Sequence, residues 1–128
     1  MNYIDVIAGI IIKDNKVLIA RRSKGFLKGK WEFPGGKKEN NESHKNCLKR
    51  EFKEEFNIDI EVGKFYFTSQ YDYENIKIKL HTYLVNDYRG NIQMKDHDKI
   101  CWANKNELKN FEYAPADIPI IKKIIREE

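Results

Sequence analysis

Three glutamates near the middle of the chain carry the clearest chemical signal in the sequence. Glu51, Glu54 and Glu55 are spaced at i, i+3 and i+4, so a helix projects them from one face. Three carboxylates that close repel one another, and the arrangement costs stability unless a cation compensates it. Oxygen ligands of this kind suit a hard divalent ion, with Mg²⁺ or Mn²⁺ as the first choices. The alternative is an ordinary solvated helix face.

The segment that carries these glutamates is predicted to be an amphipathic helix over about residues 44–56. Ser43 suits the N-cap, and Asn57 suits a left-handed cap beyond the last turn. The apolar stripe of the helix consists of Leu48, Phe52 and Phe56. On a helical wheel the glutamates centre roughly a quarter to a third of a turn from this stripe. They can therefore line a cleft while the helix stays anchored to the core.

A glycine pair and a polar loop precede the helix. Gly35 and Gly36 predict a backbone bend at which side chains would be in the way. The strands expected around this centre are Tyr3–Ile12, Val17–Ala20, Trp31–Phe33, Ile58–Val62, Lys64–Tyr73, Ile76–Val85 and Lys99–Ala103.

Two further segments complete the predicted element order. Residues 86–98 form a polar excursion, and a final amphipathic helix opens at Pro115–Pro119, with Ile120, Ile121, Ile124 and Ile125 facing inward. This order of strands, a helix, more strands and a last helix predicts an α/β or α+β sandwich, in which helices cover a mixed sheet.

The composition predicts one globular domain over residues 1–128. Hydrophobic residues make up 41% of the chain, which is enough for a core and argues against disorder. The formal net charge is +4, with basic residues spread along the chain, so we expect no binding to nucleic-acid duplexes. No apolar run approaches the roughly 20 residues of a membrane span, and the start lacks a signal-peptide pattern. We therefore expect a cytoplasmic protein that does not bind membranes.

Cys47 and Cys101 lack metal-type spacing, and we expect reduced thiols, with Cys47 packed in or beside the helix. His81 and His97 are interpreted as surface or half-buried residues.

The stretch around the helix resembles the Nudix box. That motif is Gly, five residues, Glu, seven residues, then Arg-Glu, an apolar and any residue, Glu-Glu, any residue, Gly and an apolar residue. The matching positions within residues 36–58 are Gly36, Glu42, Arg50, Glu51, Phe52, Glu54, Glu55 and Ile58. Asn57 replaces the last glycine, where its capping role makes the exchange tolerable. Eight matched positions make the resemblance specific.

The resemblance extends over nearly the whole chain. Three further segments are similar to the MutT-like branch of the family, which includes (d)CTP pyrophosphohydrolases and 8-oxo-dGTP diphosphatases. These segments are Trp31–Lys37, the pair Arg21-Arg22 and Ala114–Pro119. This implies a Nudix fold, an α/β/α sandwich with a mixed sheet. It also implies Mg²⁺-dependent hydrolysis of nucleoside triphosphates to the monophosphate and pyrophosphate. The expected substrates are (d)CTP or oxidised triphosphates, and the expected role is nucleotide-pool sanitation and DNA repair.

The resemblance also implies roles at the reacting centre. The expected metal ligands are Glu51, Glu54, Glu55 and the carbonyl of Gly35, with Mn²⁺ able to replace Mg²⁺. Asp96, six residues before Trp102, is the candidate general base, and one of the acids in the box is the alternative. Arg50 is expected to orient Glu51 or a neighbouring carboxylate through a charge-assisted hydrogen bond. Gly36 and Glu42 are expected to be structural, with Glu42 tying the loop to the helix.

Substrate contacts are expected on both sides of the box. The phosphate-binding candidates are Arg21, Arg22 and Lys37, and the base-binding candidates are Phe33, Tyr73 and Asp117. An aspartate accepts from an exocyclic amine such as that of cytosine and, if protonated, also donates. Each choice has a structural alternative. The two arginines can be surface charges, Asp96 a loop acid, Asp117 the N-cap of the last helix, and the aromatic residues part of the core.

Two other functions stay open. One is hydrolysis of other nucleoside diphosphate compounds, such as nucleotide sugars, dinucleoside polyphosphates or RNA 5′ ends. The other is a catalytically silent Nudix module that binds a nucleotide or a protein. The intact set of three acids favours an enzyme, and both a monomer and a homodimer are compatible with the sequence.

Overall fold

Strands are the most abundant element in the computed structural model, which describes residues 2–127. The strands are β1 (Ile4–Lys13), β2 (Lys16–Arg22), β3 (Trp31–Glu32), β4 (Gly35–Lys37), β5 (Asp59–Asp72), β6 (Lys77–Arg89) and β7 (His97–Asn104). The helices are α1 (His44–Phe56) and α2 (Ile118–Arg126), with short 3₁₀ helices at Lys105–Asn110 and Pro115–Asp117. Within the described residues, no helix is both long and apolar enough to cross a membrane.

β1 is the strand around which the mixed sheet is built. It pairs in parallel with β6, from Ile4 beside Ile78 to Ile11 beside Val85. It also pairs antiparallel with β4, and its last residues pair antiparallel with β2. β5 lies antiparallel to β6, while β3 and β7 are the other partners of β2. Parallel partners need a long connection, and the connection between β1 and β6 contains the acidic helix.

Side chains of β1 alternate between the two faces of the sheet, and both faces are buried. Ile7 and Ile11 pack in the core formed with α1, whereas Ala8 and Ile10 pack in the core formed with α2. A strand covered on both faces reads as a continuous apolar run, as this segment does. The predicted fold class, helices on a mixed sheet, is confirmed.

The predicted boundaries of α1 are confirmed. The hydroxyl of Ser43 accepts a hydrogen bond of 3.0 Å from the backbone N–H of Asn46. At the other end Asn57 adopts a left-handed conformation, with φ of 56°, and donates its N–H to the carbonyl of Lys53. Asparagine tolerates this conformation better than most residues with a side chain. The side chains that α1 buries are Cys47, Leu48, Phe52 and Phe56.

Three sequence predictions about strands were wrong. The segments expected at 58–62 and 64–73 form the single strand β5, because irregular pairing around Val62 and Phe65 absorbs a register shift instead of ending the strand. The polar excursion is shorter than predicted, since β6 continues to Arg89 and β7 begins at His97. The glycine pair does not bend the chain but forms the first two residues of β4.

The last helix also differs from the prediction. Pro115–Asp117 forms a separate 3₁₀ turn, and α2 begins at Ile118. Ile120, Ile121 and Ile124 are buried as expected, but Ile125 is 42% exposed because it lies beyond the width of the apolar face.

Candidate active site

A cleft of about 910 Å³ collects most of the residues that the sequence singles out. Its apolar floor comes from β1 and β6, for example Ala8 and Leu80. α1 contributes Glu51 and Glu55. The remaining polar lining comes from the residues at the ends of β2, β3 and β4, from the start of β7 and from the turn before α2. The cleft therefore depends on contacts between segments that are far apart in the sequence.

The glycine pair allows two close approaches at the wall of the cleft. A Cβ on Gly35 would lie 2.0 Å from the carbonyl oxygen of Ile7 on β1. A Cβ on Gly36 would lie 2.1 Å from Oε1 of Glu51. The prediction that side chains would be in the way here is confirmed, and the reason is contact with β1 and α1.

The three glutamates of α1 have different surroundings. The Glu51 side chain is 13% exposed, whereas that of Glu54 is 60% exposed. Glu51 and Glu55 line the cleft. Nη1 of Arg50 lies 2.6 Å from Glu51 Oε2 and 3.1 Å from Glu54 Oε1, so the guanidinium draws these two carboxylates towards itself. Within residues 2–127, no three His, Cys, Asp or Glu side chains are gathered closely enough to hold a metal ion.

Glu55 is the carboxylate that fits a metal ion best. Its Oε2 is buried and has no hydrogen-bond partner among the described residues. Burial, and then the negative charges of Glu51, Glu32 and Asp96, raise the pKa of Glu55 to about 8. A buried carboxylate oxygen without a donor, beside other acids, is a position that a cation would stabilise. The oxygen-only donor set fits a hard divalent ion.

Arg50 ties the loop before α1 to the helix. Its Nε and Nη2 donate to the two carboxylate oxygens of Glu42 at 2.5 and 3.0 Å, and Nη2 also donates to the carbonyl of Lys37. The backbone N–H of Glu39 donates to Glu42 as well. The Arg50 guanidinium, followed by this backbone hydrogen bond, lowers the pKa of Glu42 to about 2. The expected contacts of Arg50 and Glu42 are thus present.

Glu32 and His97 are the cleft residues that the sequence interpretation missed. Glu32 accepts from Nη1 of Arg22 at 3.2 Å, and its Oε2 lies 2.9 Å from Nε2 of His97. His97 is buried, so its interpretation as a surface or half-buried residue was wrong. The available signal was an acid between two aromatic residues directly before Pro34 and the glycine pair.

The phosphate-binding candidates do not all reach the cleft. Arg22 and Lys37 line it. Arg21 instead forms two hydrogen bonds with the carboxylate of Asp98, at 2.8 and 3.0 Å. Neighbouring residues of a strand point to opposite faces, which explains why the two arginines have different surroundings. Asp96 lines the cleft and is exposed, with an oxygen 3.7 Å from Nζ of Lys24.

Three residues proposed for the base lie together in the cleft. The backbone N–H of Phe33 donates to Oδ2 of Asp117 at 3.0 Å, and both side chains are buried. Asp117 occupies the N-cap position of α2, as the structural alternative had it, but among the described residues its side chain makes no capping hydrogen bond there. Burial, and then the charge of Glu32, raise the pKa of Asp117 well above its usual value. Tyr73 packs edge-on against Phe26, with ring centroids 5.1 Å apart.

A comparison with known protein families identifies the family of the chain that forms this cleft. The family described as the NUDIX domain matches residues 7–123. The chain belongs to the Nudix family. The enzymes of this family are hydrolases that act on nucleotide substrates and generally use a divalent metal ion. The sequence-based recognition of the family and of a hydrolase is confirmed.

Relatives of known name share a third or more of their residues with this Nudix hydrolase. It is 37% identical to the CTP pyrophosphohydrolase of Escherichia coli K12 over 95% of this chain and 91% of the relative. It is also 37% identical to the 8-oxo-dGTP diphosphatase of Buchnera aphidicola subsp. Schizaphis graminum, over 94% of this chain and 92% of the relative.

Solved structures show the same similarity. The E. coli ORF135 protein, 36% identical, superposes with a TM-score of 0.86 over 95% of this chain and 88% of that chain. The MutT protein from methicillin-resistant Staphylococcus aureus 252, 40% identical, superposes with a TM-score of 0.80 over 99% and 98% of the two chains.

Proposed function

We propose that this Nudix hydrolase cleaves nucleoside triphosphates to the monophosphate and pyrophosphate, with (d)CTP or oxidised triphosphates such as 8-oxo-dGTP preferred. Its cellular role would be sanitation of the nucleotide pool. The observation that carries the proposal is that one cleft contains the half-buried acids Glu51 and Glu55 of α1, the cations Arg22 and Lys37, and the buried carboxyl of Asp117. Names of relatives at 37% identity support the same substrates.

In this proposal Mg²⁺, or Mn²⁺ in its place, is held by Glu51, Glu54, Glu55 and the carbonyl of Gly35. When bound, the ion neutralises phosphate charge and lowers the pKa of a bound water. Glu55 contributes the buried oxygen that has no partner among the described residues. Glu54 is exposed and bonded only through one oxygen to Arg50 in the described part of the chain, so it is free to turn.

The other polar residues of the cleft have separate tasks. Arg22 and Lys37 bind the phosphates, and their positive charge offsets the repulsion that an attacking water meets. Asp96, which lines the cleft beside Glu55, accepts the proton of that water. Arg50 keeps Glu51 in place through the hydrogen bond of 2.6 Å.

Asp117 reads the base in this proposal. Burial raises the pKa of Asp117 well above its usual value, and a protonated carboxyl offers a donor beside an acceptor. Cytosine presents the complementary pair, the acceptor N3 beside the donor N4 amine. 8-Oxoguanine presents a donor N7–H beside the acceptor O6, whereas both atoms are acceptors in unmodified guanine. Phe33 and Tyr73 enclose this position with aromatic surface.

A substrate panel tests the proposal. We expect pyrophosphate release from dCTP, 5-methyl-dCTP or 8-oxo-dGTP to exceed that from dGTP by about tenfold or more in kcat/KM, because a mismatched edge leaves Asp117 unpaired. The Asp117→Ala variant should reduce this preference, since it removes both the donor and the acceptor. An unchanged preference in the variant would exclude the base-reading role. Hydrolysis of nucleotide sugars or dinucleoside polyphosphates, but not of triphosphates, would favour the alternative substrates.

A further inference from the structure

His97 is a buried histidine whose two ring nitrogens have different surroundings. Nε2 lies 2.9 Å from Oε2 of Glu32. Nδ1 is buried and has no hydrogen-bond partner among the described residues. The ring stacks on Phe56 of α1, with centroids 5.3 Å apart and planes 19° from parallel. The histidine therefore joins the apolar side of α1 to an acid of the cleft.

Packing alone does not account for this residue. A hydrophobic side chain would cover Phe56 equally well, without the cost of a buried nitrogen that lacks a partner. A carboxylate has only acceptor oxygens, so the nitrogen that faces Glu32 is the protonated one. The contact that requires a histidine is thus the hydrogen bond from Nε2 to Glu32.

Glu32 connects His97 to Arg22, so the hydrogen bond from His97 also affects the position of the arginine. Its carboxylate is 17% exposed and accepts from both His97 and Arg22. Arg22 is held a second time, through Nε, by the carbonyl of Phe26. His97 and Arg22 also face each other as partners in the pairing of β2 with β7, where a register shift follows Arg21. Both side chains therefore converge on Glu32 from adjacent strands.

We propose that His97 is a positioning residue for substrate binding, because it holds Glu32 in the orientation that presents Arg22 to the phosphates. The inference rests on the proposed function, in which Arg22 binds the triphosphate. Arg22 would contact the phosphates before and during the reaction, so disturbing it weakens ground-state and transition-state binding alike. Such a change raises KM more than it lowers kcat.

Two variants of similar size separate the hydrogen bond from packing. His97→Met fills the space on Phe56 but cannot donate, and we expect its KM for the preferred triphosphate to rise about tenfold, with kcat changed less. His97→Gln has a similar length and ends in an amide donor, so it should recover most of that loss. The control is His81→Met, which removes a histidine–carboxylate contact of 2.8 Å with Asp5 outside the cleft. It should leave KM unchanged.

A double variant tests the route through Arg22. Arg22→Ala should raise KM, and adding His97→Met should raise it little further, because His97 acts through Arg22. Additive effects, or a glutamine variant as impaired as the methionine variant, would overturn the inference. If His97→Met does not fold, a folded His97→Gln that has lost its affinity for the triphosphate would also overturn the inference. A wild-type protein that hydrolyses no triphosphate would instead overturn the proposed function.

Discussion

Arg50 and Glu55 show, at the scale of single residues, how the site accommodates its negative charge. Arg50 compensates the acids that lie at the loop and at the exposed side of α1, since it contacts Glu42, Glu51 and Glu54. Glu55 lies where the guanidinium does not reach, and its buried oxygen lacks a partner within residues 2–127. The neighbouring acids Glu54 and Glu55 of one motif therefore differ in their surroundings, because one is paired with Arg50 and the other is not.

Substitution of the two acids separates stability from activity. Glu55→Gln removes an ionisable group from a buried position, so we expect it to stabilise the metal-free protein by about 1–2 kcal/mol at alkaline pH. Glu54→Gln should leave stability unchanged, because that side chain is 60% exposed. Both variants should lower kcat/KM on the order of a hundredfold through weaker metal binding. Urea unfolding and pyrophosphate release measure the two effects. Wild-type turnover in either variant would contradict its assignment as a ligand.

At the scale of elements, β4 and α1 form the wall of the cleft because they touch without intervening side chains. β4 is only Gly35–Lys37, yet it lies against β1 on one side and Glu51 on the other. The cap at Asn57 and the buried stripe of α1 hold the helix at a fixed rotation. The position of the Glu51 carboxylate consequently depends on the absence of a side chain at Gly36.

Gly36→Ala tests this contact between β4 and α1. The added methyl group would meet Glu51 Oε1 at 2.1 Å, so the carboxylate must move. We expect a loss of about 1–3 kcal/mol in stability and a fall in kcat/KM on the order of a hundredfold. Gly63→Ala is the matched control, because its methyl group would displace the side chain of Asn86 instead. That control should keep wild-type kcat/KM, and equal losses in both variants would refute the specific role of Gly36.

At the scale of the whole molecule, the proposed metal site would link metal binding, pH and stability through Glu55. Its pKa is raised from 4.5 to about 8, so in the metal-free protein the group contributes most to stability below pH 4.5. That contribution declines as the pH rises towards 8, because ionisation of the buried carboxyl is unfavourable in the folded state. A bound cation reverses this preference and competes with the proton.

Removal of the metal should therefore matter more at alkaline than at acidic pH. We expect saturating Mg²⁺ to raise the melting temperature more at about pH 9 than at about pH 6. A ligand at a hundred times its Kd contributes about 2.7 kcal/mol. Thermal unfolding with Mg²⁺ and with a chelator measures the difference. In Glu55→Gln the dependence on pH should largely disappear. A shift that is equal at both pH values in the wild type would exclude Glu55 as the competing group.

Local rules were sufficient for much of this protein. The helix with its caps at Ser43 and Asn57, the buried β1 and the family follow from residue spacing, since capping, periodicity and motifs depend on neighbours in the sequence. The contact of Arg50 with Glu54 could also be predicted, because residues four positions apart lie on the same face of a helix.

Other features depended on tertiary contacts. Arg21 and Arg22 are neighbours of the same type, and only the sheet decides that one pairs with Asp98 and the other with Glu32. Asp117 and His97 are buried by segments that are distant in the chain, so their burial does not follow from their neighbours in the sequence. The sequence by itself determined the family and the acids on α1. The tertiary structure decided which charges are buried, because burial and pairing arise only when distant segments meet.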